Sequence, residues 1–212
     1  MENVLIHSAT VFMGFFAIMN PISNVPIFLS LTGEDDQQTT KAIAFRSLML
    51  AFVIIAVFSV AGKAILGLFG ITLPAFRLVG GLLVLIIGFH MLKGNQSSVQ
   101  HPDEEEKQKS REAELSVAVS PLAMPILAGP GTIATAMNFA SEGGIIETIM
   151  TIAAFAVLCV ITYLLFVFGK KFVNVIGAGA LGVITRMMGL ILAVIGMQMV
   201  IEGINGAFNL VG

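Results

Sequence analysis

The chain reads as two copies of one pattern, and that duplication limits its fold more than any other feature. Gly62-Lys63 followed by Gly70 answers Gly169-Lys170 followed by Gly177. Arg77-Leu78-Val79-Gly80 answers Arg186-Met187-Met188-Gly189, and Ile87-Gly88-Phe89-His90-Met91 answers Ile195-Gly196-Met197-Gln198-Met199. The offset stays between 107 and 109 residues, close to half of the 212-residue chain. Carried back to the start of each copy, it sets Asn20-Pro21 against Gly129-Pro130.

Each copy holds three hydrophobic segments. Uncharged runs cover residues 3–33, 47–62, 64–76, 78–92, 115–141, 148–169 and 187–201. Hydrophobic residues make up 57% of the chain and charged residues 11%, against roughly a quarter charged in soluble domains. A helix needs about 20 mostly apolar residues to cross a hydrocarbon core of about 30 Å. The runs predict six membrane helices, near 5–31, 43–62, 72–92, 117–139, 147–169 and 182–202. They do not alternate, so they read as helices and not as barrel strands. The expected fold is all-α and polytopic. Residues 1–92 form a first three-helix repeat, 93–116 a polar linker, and 117–212 a second repeat. An odd number of spans per copy would invert the second repeat in the membrane relative to the first, a pattern found in secondary transporters.

The positive charges set an expected orientation. Lys63 and Arg77 fall on the side of the two termini, whereas Lys41, Arg46, Lys93, Lys107, Lys109, Arg111, Lys170, Lys171 and Arg186 fall on the other. The positive-inside rule makes the second side cytoplasmic and leaves both termini outside, in the periplasm where there is one. Met1-Glu2-Asn3-Val4 lacks the basic start of a cleavable signal, so the first segment is expected to stay as a helix. Cys159, the one cysteine, excludes an intramolecular disulfide and a cysteine metal cluster. Residues 93–116, with Asp103-Glu104-Glu105-Glu106 beside Lys107 and Lys109, read as a solvated linker and not as a metal site. There is no basic run for nucleic acid and no cofactor motif. The three histidines, at 7, 90 and 101, have no carboxylate partner on their own spans, which argues against an enzyme. Arg77 and Glu202 read as helix-end groups facing the headgroups or water.

Any binding chemistry must then come from polar or helix-breaking residues at membrane depth. The first segment carries Asn20, Pro21, Ser23, Asn24 and Pro26 near its middle. The fourth repeats the theme with Ser120, Pro121 and Pro125, then Gly129, Pro130, Gly131, Thr132 and Thr135. Each proline removes a backbone donor and crowds the preceding turn. Within a bilayer such breaks survive only inside protein or along a wet cavity, so helices 1 and 4 are expected to be broken helices that share one site. Amides at the start of a half-helix attract a carboxylate, and freed carbonyls can hold an ammonium or a small cation. A small zwitterion suits both. Substrate identity, direction, coupling ion and homo-oligomerisation stay open at this level. A channel remains the alternative, although no charge ring or carbonyl filter is evident.

Two stretches carry a resemblance to a known family. Asn20-Pro-Ile-Ser-Asn-Val-Pro-Ile-Phe28 and Pro121-Leu-Ala-Met-Pro-Ile-Leu-Ala-Gly-Pro-Gly-Thr132 resemble the MarC family of bacterial inner-membrane proteins. That family includes SnatA-type small neutral amino acid transporters, and the similarity runs over essentially the whole chain. The resemblance implies transport of glycine, alanine or a similar amino acid, driven by H+ or Na+, in the bacterial inner membrane. A more distant likeness to six-span LysE-type exporters makes export of other small metabolites or drugs the alternative.

The charge distribution generates a direct test. In a Cys159→Ala background, cysteine placed at Ser97 is expected to resist impermeant thiol reagents in intact cells, and cysteine at Ser141 to react. Labelling of both positions, or the reverse pattern, would contradict the orientation.

Overall fold

The structure, a computed structural model, describes residues 2–32, 36–94, 127–141 and 144–208. Most of the linker and the first half of the predicted fourth span, with Ser120, Pro121 and Pro125, lie outside the described residues. Every regular element among the described residues is a helix: α1 (Glu2–Met19), α2 (Pro21–Leu31), α3 (Gln37–Leu68), α4 (Leu73–Leu92), α5 (Pro130–Ser141), α6 (Ile145–Val167) and α7 (Gly169–Phe208). Among the described residues, five stretches are long and apolar enough to cross a bilayer: Ile6–Leu29, Gln37–Leu68, Leu73–Leu92, Ile145–Val167 and Gly179–Phe208. The first of these runs across the break between α1 and α2. At about 1.5 Å per residue, the 12 residues of α5 reach only part-way through a membrane.

Local chemistry places the helix starts. Asp36 caps α3 by accepting the Thr39 amide at 2.7 Å, and hydrogen bonds from the Thr39 side chain and then its amide lower the carboxyl pKa. Thr72 caps α4 by accepting the Ala75 amide at 3.4 Å, with a proline in the first turn that follows. Gly70, at φ 65°, closes the turn between α3 and α4. Its repeat partner Gly177 has φ 76° and ψ 154° and kinks α7 internally. Only glycine adopts such angles without strain. The residues between the fifth and sixth segments are therefore helical up to the kink at Gly177, and the apolar span that follows runs over Gly179–Phe208, close to the expected start near 182.

The bundle has a centre and two flanks. α1 and α5 lie in the middle, with α3 and α6 packed together on one side and α4 and α7 on the other. One apolar core joins Phe15, Met19 and Phe28 to Ile55, Phe155 and Phe166. Phe28 and Phe166 stack at 4.3 Å, and Phe15 meets Phe155 edge-on at 5.0 Å. A second core joins Ile18 to Val84, Ile87, Ala134 and Leu192. The outer faces remain apolar, with Val60 70% and Val194 62% exposed. Such surface is costly in water and favourable in lipid.

The α4–α7 pair is held by glycines. A Cβ on Gly81 would lie 2.7 Å from the Gly196 carbonyl, and one on Gly88 would lie 2.8 Å from the Gly189 carbonyl. The two helices therefore run antiparallel with their backbones in contact, as small residues permit between membrane helices. Gly196→Val is expected to lower thermal stability in detergent sharply, because its Cβ would stand 2.4 Å from the Leu85 amide nitrogen. Overpacking of this kind costs about 1–3 kcal/mol, and backbone cannot move aside as a side chain can. Gly182→Ala, with nothing within 4 Å, should leave the melting temperature nearly unchanged.

Candidate functional site

The break in the first span is built by Asn20. Its φ of 42° and ψ of 63° place it in the left-handed region, where it ends α1 and caps α2. Asparagine tolerates this conformation because its short polar side chain bonds locally. Here Oδ1 accepts the Ser23 amide at 3.5 Å, while Asn20 still donates its own amide to Phe16 at 2.9 Å. Pro21 then opens α2, where the missing N–H is least costly. Asn24 turns back and donates Nδ2–H to the Met19 carbonyl at 2.7 Å. Both asparagines are buried, at 6% and 3% exposure. Each thus supplies a partner to backbone that the proline interrupts.

The second break has the same grammar. Leu127 and Ala128 are fully buried, Gly129 has no regular structure, and Pro130 opens α5. The Ile133 amide bonds the Gly129 carbonyl at 3.0 Å. The Gly131 and Thr132 amides fall in the first turn, where a helix offers them no acceptor. Gly131 sits against α1: a Cβ there would be 2.7 Å from Ile18 and 3.1 Å from Ile87. Thr132 and Thr135 are 0% and 1% exposed, and among the described residues their hydroxyls have no hydrogen-bond partner.

Asn20, Pro21, Asn24, Gly129, Gly131, Thr132 and Thr135 are thus buried in the middle of the bundle, and Ser23 is half-buried. Pro26 and Pro130 are exposed, so their rings face outward. Thr185 of α7 donates its hydroxyl proton to the Leu181 carbonyl at 2.8 Å, so in its hydroxyl–hydroxyl bond with Ser23 the serine donates. Thr162 of α6 is fully buried and lies 3.9 Å from the Met19 sulfur at the first break. Neither threonine is marked by the sequence, since each lies alone in an apolar run and is brought in by tertiary packing.

A polar cluster lies further along α5. Arg77 of α4 donates Nε–H to Asn138 Oδ1 at 2.6 Å and approaches Ser141 Oγ at 3.5 Å. Its Nε stands 3.9 Å from Glu202 Oε2 of α7. The expectation that both charges reach outward is met only in part. Glu202 stays partly exposed at 29% with its Oε2 shielded, and Arg77 turns toward α5 and α7. Cavities of about 420 Å³ and 470 Å³ adjoin this cluster, the first near Lys63 and Ser141 and the second near His7 and Glu202. Neither touches the residues at the breaks.

Apolar spans with lipid-compatible outer faces, and interruptions enclosed at the centre, define a polytopic α-helical integral membrane protein. The chain belongs to the MarC family of integral membrane proteins, whose family model matches residues 5–208. It is 40% identical over 199 residues to the UPF0056 membrane protein YvbG of Bacillus subtilis, covering 93% of this chain and 94% of that protein. It is 32% identical over 203 residues to the UPF0056 membrane protein YhcE of Escherichia coli, covering 93% and 91%. A UPF0056 membrane protein of Pyrococcus horikoshii is 37% identical over 199 residues, covering 94% of each chain. No solved structure matches it.

The geometry of the first break separates backbone from side chain. Asn20→Gly is expected to cost a few tenths of a kcal/mol as a cap replacement. Asn20→Ala should cost about 1–2 kcal/mol more, because alanine resists the left-handed region. Asn24→Ala leaves a buried carbonyl without its donor and is expected to cost about 1–3 kcal/mol. Thermal melts in detergent give the ranking, and equal effects of glycine and alanine at position 20 would contradict it.

Proposed function

We propose that the chain is a secondary transporter of small neutral amino acids, of the SnatA type, working by alternating access in the bacterial inner membrane. The observation that carries this reading is the pair of buried breaks, each heading a short helix with proline. Their polar side chains and first-turn amides lie in an interior that is otherwise apolar. Helix starts favour a carboxylate. The hydroxyls of Thr132 and Thr135, without partners among the described residues, suit a ligand that brings its own donors and acceptors. Gly131 in contact with Ile18 leaves little room, which favours glycine- or alanine-sized substrates.

Packing supports the inverted-repeat part of the proposal. At the offset of 108 residues that pairs Ile87-Gly88 with Ile195-Gly196, Gly81 falls on Gly189 and Gly88 on Gly196. A two-fold axis would therefore map the Gly81–Gly196 contact onto the Gly189–Gly88 contact, and both are present. The positive φ of Gly70 and Gly177 agrees with the same register. Inverted copies meeting at their broken helices are the arrangement in which one site can open to either side by rocking. Transport is driven by an H+ or Na+ gradient, and both termini face the periplasm.

Uptake of labelled glycine and alanine into proteoliposomes tests the reading, with counterflow separating a carrier from a channel. Thr132→Val and Thr135→Val are expected to raise the half-saturating concentration roughly 5- to 150-fold, the equivalent of about 1–3 kcal/mol per lost hydrogen bond. Gly131→Val should abolish transport by filling the space against Ile18, and Glu105→Ala in the linker should leave it unchanged. Stable, membrane-inserted variants that transport normally would place the substrate elsewhere.

A further inference from the structure

Glu202 is an acidic side chain that the helix breaks do not explain. Gln198, one turn earlier on α7, donates Nε2–H to its Oε1 at 3.1 Å. Its Oε2 is shielded from solvent and, among the described residues, accepts no hydrogen bond. Arg77 stands 3.9 Å away, but its Nε–H is committed to Asn138 at 2.6 Å. The guanidinium therefore lends charge to this oxygen without the Nε hydrogen bond. On α1, His7 Nε2 is also buried without a hydrogen-bond partner among the described residues. His7 and Glu202 line one cavity of about 470 Å³ between α1, α5 and α7, together with Thr10, Asn138 and Gln198.

A buried carboxylate oxygen without a donor carries an unmet desolvation cost. The remedy is a small positively charged species, because the cavity has one carboxylate and otherwise neutral oxygen and nitrogen groups. A divalent ion normally gathers more anionic oxygens than this. The described charged and titratable groups facing the site are Glu202 from α7, Arg77 from α4 and His7 from α1, while α5 contributes the neutral Asn138. An imidazole and a carboxylate that line one cavity suit a proton. The oxygens of Thr10, Asn138 and Glu202 suit Na+.

We propose that this cavity is the coupling-cation site, with Glu202 as its anionic ligand and His7 as its second polar group. The proposal rests on the transporter reading above and adds the place where the gradient is read. A connection to the breaks is built into α5. Thr132, Thr135 and Asn138 recur every three residues on that helix, so about 9 Å of rigid helix separates Thr132 from the cluster. A cation at Glu202 competes with Arg77 for the carboxylate, and Arg77 holds Asn138. Occupancy at one end of α5 is thus felt at the other.

The test uses the full-length protein and two readouts. In detergent, replacing choline chloride by NaCl, or lowering pH across the histidine range of about 8 to 6, is expected to raise the melting temperature of wild type more than that of Glu202→Gln. In proteoliposomes, Glu202→Gln should lose gradient-driven accumulation of labelled alanine at least about tenfold, while counterflow stays within about threefold of wild type. Whichever of Na+ or pH produces the shift identifies the cation. Should Glu202→Gln fail to fold, His7→Ala and Gln198→Ala replace it, each expected to weaken the response to the cation roughly tenfold. Retained accumulation, or loss of counterflow together with accumulation, would overturn the proposal. So would a melting shift produced by glycine alone that Glu202→Gln abolishes, which would make the cavity a subsite for the substrate's ammonium. If wild type moves no amino acid, the transporter reading fails, and the difference in melting shift still decides whether the cavity binds a cation.

Discussion

Inside hydrocarbon no water is at hand to satisfy an unpaired amide or carbonyl, and the rest of this structure follows from that. A membrane helix interrupted by proline is permissible only where protein surrounds the interruption. Both breaks accordingly lie at the centre, between the α3–α6 pair and the α4–α7 pair. At the first break the repair is visible atom by atom, with Asn20 accepting from Ser23 and Asn24 donating to Met19. At the second, glycine and proline leave first-turn amides and two threonine hydroxyls in a closed apolar interior. The chain spends polar residues where lipid never reaches and keeps its outer faces apolar.

The two flanks differ in character. α4 and α7 touch backbone to backbone along their glycines, which makes them hard to separate without losing dispersion contacts along the whole seam. The central helices are fastened to the flanks at a few polar points. Ser23 meets Thr185 at one, and Arg77 meets Asn138 at another. Broad close contact between flanking helices, with sparse hydrogen bonds to the short central ones, is the condition under which half-helices shift while the frame holds.

The breaks were legible because proline and asparagine in an apolar run have few other uses, and the Asn20-Pro21 and Gly129-Pro130 pairs stood in repeat register. The Arg77–Glu202 cluster was not. A charged residue near the end of an apolar run looks the same whether its side chain reaches outward or turns inward. The difference is decided by what each side chain meets: Arg77 finds Asn138 on α5 and Glu202 on α7, and only the Oε2 of Glu202 is shielded. Thr162 and Thr185 were equally silent. A lone threonine in a membrane helix ordinarily bonds its own preceding turn, as both do here, and only packing brings them to the first break.

Length, charge pattern and uncharged runs by themselves determined a helical membrane protein, since no other use of so much apolar sequence satisfies the backbone. The Asn20-Pro21 motif determined where the first span breaks. Tertiary structure alone decided which polar groups meet: Gly131 against Ile18, Ser23 against Thr185, and Arg77 between Asn138 and Glu202. The physical reason is separation along the chain. Helix propensity and lipid burial act over one span, whereas these contacts join side chains from different spans, whose relative rotation and depth are set by the packing of the assembled bundle.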